Sequence, residues 1–362
     1  MYIPEYTITN KTLQNITVIE YLKAVAETKV ILPSWEKNLK KEAQVQFIKN
    51  NLNLLGIRTD VKEIKKYLDG LVKKPAELVE NIKKSMDYVQ ILVQSPEIGE
   101  EDLRVLYGIL LGQVLEGGTQ DTPAKVTKMY RETPVENKPN PEELLAETVG
   151  LFDWLNSLDG RETHPLIKAA IVKARFTQLM PLKNYNELMG NLLAFYVLST
   201  GKYGIKNFAH LEVAYAEDAA GYREAQKDLA ITWTVRENSA ETPENLDAGT
   251  VPEEEDLTPW IDFYISAMAS KAASIKEEIL LLSKDTKIAT ATGRAKLSKR
   301  QERIIRYLQD YGMLQNKDFG RLFPEISEDT VLRELKKLIK KDLVVKRGRT
   351  KSSRYELKQE GL

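Results

Sequence analysis

Cysteine is absent from all 362 residues, and histidine occurs only at His164 and His210. The first absence excludes disulfides, thiolate metal sites and cysteine nucleophiles. The second leaves too few imidazoles for a multi-histidine metal centre. No apolar run approaches the roughly 18 residues that a membrane-spanning helix needs. The N-terminus, MYIPEYTITN, lacks the basic-then-apolar order of a secretory signal. Net charge is missing too, since 53 Lys and Arg balance 53 Asp and Glu. We therefore expect a protein of a reducing, prokaryote-like cytoplasm, with no membrane partner and no bound metal.

What is present suffices for sizeable cores. The hydrophobic fraction of 42% is ordinary for globular protein, and the length fits two or three domains. The zero net charge hides an asymmetry. From Lys296 onward 18 basic side chains face 10 acidic ones, whereas the first 295 residues hold 35 basic and 43 acidic. A basic terminal module on an acidic body points to a nucleic-acid partner for that module alone.

Along the chain, apolar residues recur mainly at helical spacing, which by itself means core packing. Tyr2 to Thr9 reads as extended, and helices are expected through Ile19, Leu22 and Val25 and from Glu36 to Leu54. Asp60 caps the next, and others run from Pro75 to Val93, from Glu100 to Leu115 and from Pro141. Within the polar interruption 116–141, Val126 to Thr133 alternates weakly, as a short hairpin would. A helical segment is expected over Leu211 to Trp233, then a solvated loop over 237–256 with eight acids and no Lys or Arg, then a helix from Thr258 to about Ser283. The division is an N-terminal helical region (1–95), a core (96–283), a linker (284–296) and a terminal module (297–362).

The core centres on 164–201: an apolar helix opened by His164-Pro165, the polar loop Met180-Pro-Leu-Lys-Asn-Tyr-Asn-Glu-Leu, and a second apolar helix from Met189 to Leu198. Helix, tight polar loop and helix is the layout of a site in which a helix N-terminus holds an anion.

In the terminal module Ser298 caps a helix, a short one lies near Lys317 to Leu322, and a third runs from Ser327 to about Lys341. Leu343 to Lys346 and Ser353 to Leu357 alternate around a basic turn. Three helices and a two-stranded wing make a winged helix-turn-helix. Its third helix buries Val331, Leu332, Leu335 and Leu338 and presents Arg333, Lys336, Lys337 and Lys340. The wing adds Lys346, Arg347, Arg349, Lys351 and Arg354. These are the candidate DNA-binding residues, against the plainer reading of a solvated basic face.

Several separated segments, among them PSWEKNLKKEA, EEDLRVLYGILLG, THPLIKAAIVKARF, LLAFYVLSTGKYG and DLTPWIDFYISAMA, resemble their counterparts in the Fic family. Members of that family mostly transfer AMP from ATP to a protein hydroxyl, and a winged helix is a frequent C-terminal appendage. The resemblance implies an all-α bundle with a small β-hairpin flap over the site. The family loop reads His-Pro-Phe-x-(Asp/Glu)-Gly-Asn-Gly-Arg-x-x-Arg. Here the general base falls on Met180, Pro181 is kept, and Phe becomes Leu182. The metal-binding acid falls on Asn184, the glycines become Tyr185 and Glu187, Asn186 survives, and the arginines fall on Leu188 and Asn191. Methionine accepts no proton at neutral pH, which removes a base worth about 10²–10⁴ in rate. Asn184 is a poorer Mg²⁺ ligand than a carboxylate.

The resemblance places the flap's leading Gly-x-Tyr-Arg on Ala124-Lys125-Val126-Thr127. It places the family's inhibitory (Ser/Thr)-x-x-x-Glu-(Gly/Asn) on Asn51 to Gly56, with Leu55 for the Glu, so that neither end of the inhibitory Glu–Arg pair remains. His164 is read as structural. The expected function is a degenerate Fic-fold pseudoenzyme, with neither ATP nor Mg²⁺ expected as a cofactor, that regulates or adapts through DNA while its body senses an unknown protein partner or ligand or pairs with a second copy. The alternative is a transferase of altered chemistry that modifies a protein hydroxyl with ATP and Mg²⁺. Lys183, Asn184, Asn186, Glu187 and Asn191 would then line its pocket, with Glu187 as base.

Overall fold

The stretch 164–201 folds into two antiparallel helices, and the surrounding elements are laid against them. The computed structural model describes residues 2–29, 31, 33–72, 75–95, 97–113, 128–229, 233–235, 250–252, 255–291, 297–341, 343–348 and 353–358. The chain divides into two compact units, Met1–Leu280 and Leu281–Leu362. Up to Leu280 it carries α1 (Asn10–Thr28), α2 (Pro33–Leu54), α3 (Val61–Leu68), α4 (Glu77–Leu92), α5 (Glu100–Leu110), α6 (Leu144–Asn156), α7 (Leu158–Glu162), α8 (Pro165–Leu179), α9 (Asn186–Thr200) and α10 (Ala219–Ala225). A two-stranded antiparallel sheet of β1 (Trp233–Val235) and β2 (Thr250–Pro252) precedes α11 (Thr258–Ala291). No boundary falls near residue 95: the N-terminal helices and the expected core share one unit.

α8 and α9 are buried almost all round, from Leu166, Ile171 and Phe176 to Leu188, Leu192 and Phe195. Each such side chain contributes about 1.5–3 kcal/mol when taken from water. Pro165 opens α8 where its missing N–H costs nothing. Gly201 ends α9 so close to that turn that a Cβ would lie 2.5 Å from the Pro165 Cβ, which is why no side chain fits there. α11 is pinned across the pair by Trp260, whose indole N–H donates to Ala170 O at 2.9 Å. The extended residues 2–9 run alongside, with Leu257 N–H donating to Glu5 O at 2.9 Å.

Three expectations need correction. The segment from Leu211 to Trp233 is not one helix, but a 3₁₀ turn (Leu211–Glu217), α10, a second 3₁₀ turn and a strand. The break comes at Asp218, whose carboxylate caps Gly221 N–H at 2.9 Å and restarts the helix. The acidic loop is not wholly solvated: Thr250–Pro252 pairs with β1, and Glu255 is buried, accepting from Tyr2 Oη at 3.1 Å. The long helix passes through the expected linker to Ala291 because neither Gly nor Pro interrupts 284–291. Residues 292–296 lie outside the described residues.

The second unit contains α12 (Lys299–Tyr311), β3 (Leu314–Gln315), α13 (Phe319–Leu322), α14 (Glu328–Lys340), β4 (Val344–Arg347) and β5 (Arg354–Leu357). Ser298 and Gln301 form a capping box at the start of α12, and Gly312, at φ 75°, ends it. The antiparallel sheet has the order β3-β5-β4, with Leu314 opposite Tyr355 and Val345 opposite Glu356. β3 is too short to show as an alternation, so the expected two strands become three. Ile304, Leu308, Val331, Leu335, Leu338 and Tyr355 form this unit's core. Among the described residues no helix is long and apolar enough to cross a membrane.

Candidate functional site

The loop between α8 and α9 bends through two left-handed residues, Met180 (φ 44°) and Tyr185 (φ 62°). Such backbone costs of order 1–3 kcal/mol at a residue with a side chain, so the surroundings must hold it. Asn186 braces it from within: its Oδ1 accepts from Leu182 N–H at 2.9 Å and its Nδ2 donates to Leu182 O at 2.8 Å. From outside, Tyr130 pairs with Leu182 in an antiparallel bridge. On either side of that bridge Arg131 N–H donates to Pro181 O (2.9 Å) and Lys183 N–H to Met129 O (3.1 Å). The buried Arg131 guanidinium donates to Met180 O at 3.2 Å, to Thr133 O at 3.0 Å and to Pro139 O.

The flap residues Ala124, Lys125, Val126 and Thr127 lie outside the described residues. Tyr130 and Arg131, a few residues on, stand against the loop. Among the described residues the expected hairpin amounts to this one bridge.

The loop's candidates do not share one surface. Lys183 and Asn184 are exposed and Met180 is 38% exposed, whereas Pro181, Leu182, Leu188 and Asn191 are buried. Tyr185, Asn186 and Glu187 are half-buried. The pocket of the alternative reading is therefore not assembled, since Asn191 faces the interior.

Glu187, in the first turn of α9, turns its carboxylate inward to Lys173 of α8. The Lys173 ammonium, fully buried, donates to Glu187 Oε2 at 2.5 Å and to Glu187 O at 3.1 Å. Tyr222 Oη donates to Oε2 at 2.5 Å, and Gln226 Nε2 donates to Oε1 at 3.1 Å. Burial raises the Glu187 carboxyl, but the Lys173 charge and these hydrogen bonds outweigh it and hold it below its ordinary value. Lys138 stands nearby and donates to Thr177 O at 3.1 Å. Burial and the neighbouring Arg131 pull it down to about 8, against the opposing charge of Glu187.

Asn191, one turn on, is wholly buried. Its Nδ2 donates to Asn51 Oδ1 at 2.8 Å, and its Oδ1 accepts from Tyr215 Oη at 2.6 Å. Leu55 lies in the turn after α2, before Gly56 (φ 74°), and Asn51, four residues earlier, reaches Asn191. A neutral amide pair ties α2 to α9. Replacing Asn191 with Ala strands the Asn51 and Tyr215 groups, and we expect a loss of about 1–3 kcal/mol in denaturant unfolding.

His164 caps α8 through Nδ1, which accepts from Leu166 N–H at 3.3 Å, and its Nε2 lies 3.2 Å from Tyr203 Oη. Among the described residues no group of three or more His, Asp or Glu side chains is placed to hold a metal ion.

In the second unit Arg333, Lys336, Lys337 and Lys340 are exposed along one side of α14, opposite buried Val331, Leu335 and Leu338. Lys337 also pairs with Glu334 at 2.7 Å. Lys346, Arg347 and Arg354 are exposed on the β4–β5 pair, where both arginines meet Glu356, at 2.9 and 2.7 Å. Arg349 and Lys351 lie outside the described residues.

Sequence reasoning missed Lys173, Tyr222, Gln226 and Arg131. For Lys173 a signal existed: it falls seven residues after Leu166 and three after Ala170, on the side that the helical period buries. A lysine there needs an internal partner. Tyr222 and Gln226 carried no such signal.

No family model matches the chain, and neither does any curated protein. Solved structures do. A Fic family protein from Desulfovibrio desulfuricans G20 matches over 100% of both chains at TM-score 0.55 and 18% identity. Fic-1 (residues 134–508) from C. elegans matches over 75% of this chain and 74% of that one at TM-score 0.53 and 13% identity. At such identities the likeness concerns the fold alone. Taken with the helical pair, its braced loop and the elements around them, it shows that this chain is a Fic-fold protein.

Proposed function

We propose that this Fic-fold chain is a regulator or adaptor that binds duplex DNA through its terminal unit and lacks the AMP-transfer chemistry its loop resembles. The observation that carries the reading is the basic side of α14, with Arg333, Lys336, Lys337 and Lys340 exposed beside Lys346, Arg347 and Arg354 of the wing. A helix seated on one side by Val331, Leu335 and Leu338 has its other side free to enter a groove. Cations at such spacing neutralise successive phosphates and release counterions. The test is duplex binding by the full chain against salt. About six or seven phosphate contacts would weaken binding by about 10³–10⁴-fold between 50 and 200 mM salt. Binding that is absent at low salt, or indifferent to salt, would sink the reading.

The loop supports the second half of the proposal. Position 180 carries a thioether, Asn184 an exposed amide, and the two family arginine positions are a buried Leu188 and a buried Asn191. Glu187 is a poor base, because its carboxylate is already saturated by Lys173, Tyr222 and Gln226. These residues do not fit ATP with Mg²⁺. We expect calorimetry with ATP and Mg²⁺ to register no binding heat, and a saturable heat with micromolar affinity would overturn this part.

A further inference from the structure

The carboxylate of Glu187, on α9, sits among donors that come from α8, from α10 and from the residue that follows α10. Lys173 on α8 supplies an ammonium at 2.5 Å, Tyr222 on α10 a hydroxyl at 2.5 Å, and Gln226, just after α10, an amide at 3.1 Å. We propose that Lys173, Tyr222 and Gln226 form a receptor for a small carboxylate, which the chain keeps filled with its own Glu187.

Three features set this apart from an ordinary ion pair between helices. First, the donors outnumber what a pair requires. Both carboxylate oxygens are engaged, and Gln226 also donates to Tyr222 Oη at 2.9 Å, so that the two neutral donors orient each other. Second, the cation is built in place independently of the carboxylate. Its ammonium has a second acceptor in the main-chain Glu187 O at 3.1 Å and lies 5.8 Å from the centre of the Tyr215 ring. Its stem runs along Gly190, where a Cβ would approach Lys173 Cδ to 3.1 Å. Truncating Glu187 to Ala therefore leaves the donors standing around a vacancy one carboxylate and one methylene in size. Third, Lys173 is wholly buried, so an ammonium left there without a carboxylate has no bulk water to stabilise it, and a small anion that enters stabilises it in competition with loss of its proton. The vacancy suits formate or acetate. The inference stands whether or not the terminal unit binds DNA.

The test uses the full-length Glu187→Ala variant. Its melting temperature should fall well below that of the parent chain. Sodium formate, and to a lesser extent acetate, should restore most of the loss in a saturable manner, whereas sodium chloride at matched ionic strength should not. The parent chain should show no such formate-specific gain, since its receptor is filled. In Glu187→Ala/Lys173→Met the formate response should vanish. If Glu187→Ala is recovered only as insoluble protein, the yield of soluble protein on refolding in formate against chloride is the same measurement. Equal effects of formate and chloride, no effect of either, or a formate response that survives the loss of Lys173 would each overturn the proposal.

Discussion

In the full-length protein, replacing Lys336 and Lys340 together with glutamate lowers duplex affinity by about 10²–10⁴-fold at fixed salt, if each contributes a charge-assisted phosphate contact of about 1.5–3 kcal/mol. The slope of log affinity against log salt should flatten by about two. Both side chains are exposed on α14, whereas its core residues Leu335 and Leu338 are buried, so the melting temperature should hardly change. That combination separates a binding defect from a folding defect. The loss should be similar for unrelated duplexes, because phosphate contacts position a protein without reading sequence. An unchanged affinity would remove α14 from the interface. An unchanged slope with lower affinity would mean that these lysines act on something other than phosphate.

The second large effect lies in the first unit. Replacing Lys173 with Ala should destabilise the chain by about 3–5 kcal/mol, because the partner left behind is a carboxylate turned into the protein. Replacing the pair together, Lys173→Met with Glu187→Leu, should cost far less, since both desolvation penalties disappear with the charges. Denaturant unfolding followed on the buried Trp260 checks both. The pair also has a pH signature. Glu187 is held below its ordinary value in the folded chain. Its contribution is therefore complete above the unfolded carboxylate range near about 4.3 and is lost as pH falls through the lower folded value. The difference between parent and double variant should be flat from neutral pH to about pH 5 and shrink in acid. A difference that grew on acidification would contradict the ion pair.

Much of the molecule could be read along the chain. Apolar runs of helical length located α8 and α9, which are buried almost all round, and apolar periodicity located α14, because a helix that buries one side repeats its apolar residues whatever it packs against. The caps at Asp60 and Ser298 were legible for a similar reason: each satisfies an N–H group two or three residues away. Local chemistry also told what the loop lacks, since Met180, Asn184, Leu188 and Asn191 have the same functional groups in any fold.

What could not be read was partnership. Tyr130-Arg131 meets Pro181–Lys183 across some fifty residues of sequence, and a single bridge leaves no alternation to detect. In sequence Glu187 was a replaced loop glycine and a candidate base. Only the packing of α10 against α8 and α9 turned it inward, onto a lysine fourteen residues earlier and a tyrosine thirty-five residues later. Likewise Asn191, a lost arginine in sequence, became the centre of a buried amide pair because α2 passes within hydrogen-bonding distance. Composition and periodicity determined that this would be a helical body with a basic terminal module. Tertiary structure alone decided which polar side chains of that body face each other, because desolvated charges and amides are settled by neighbours in space and not in sequence.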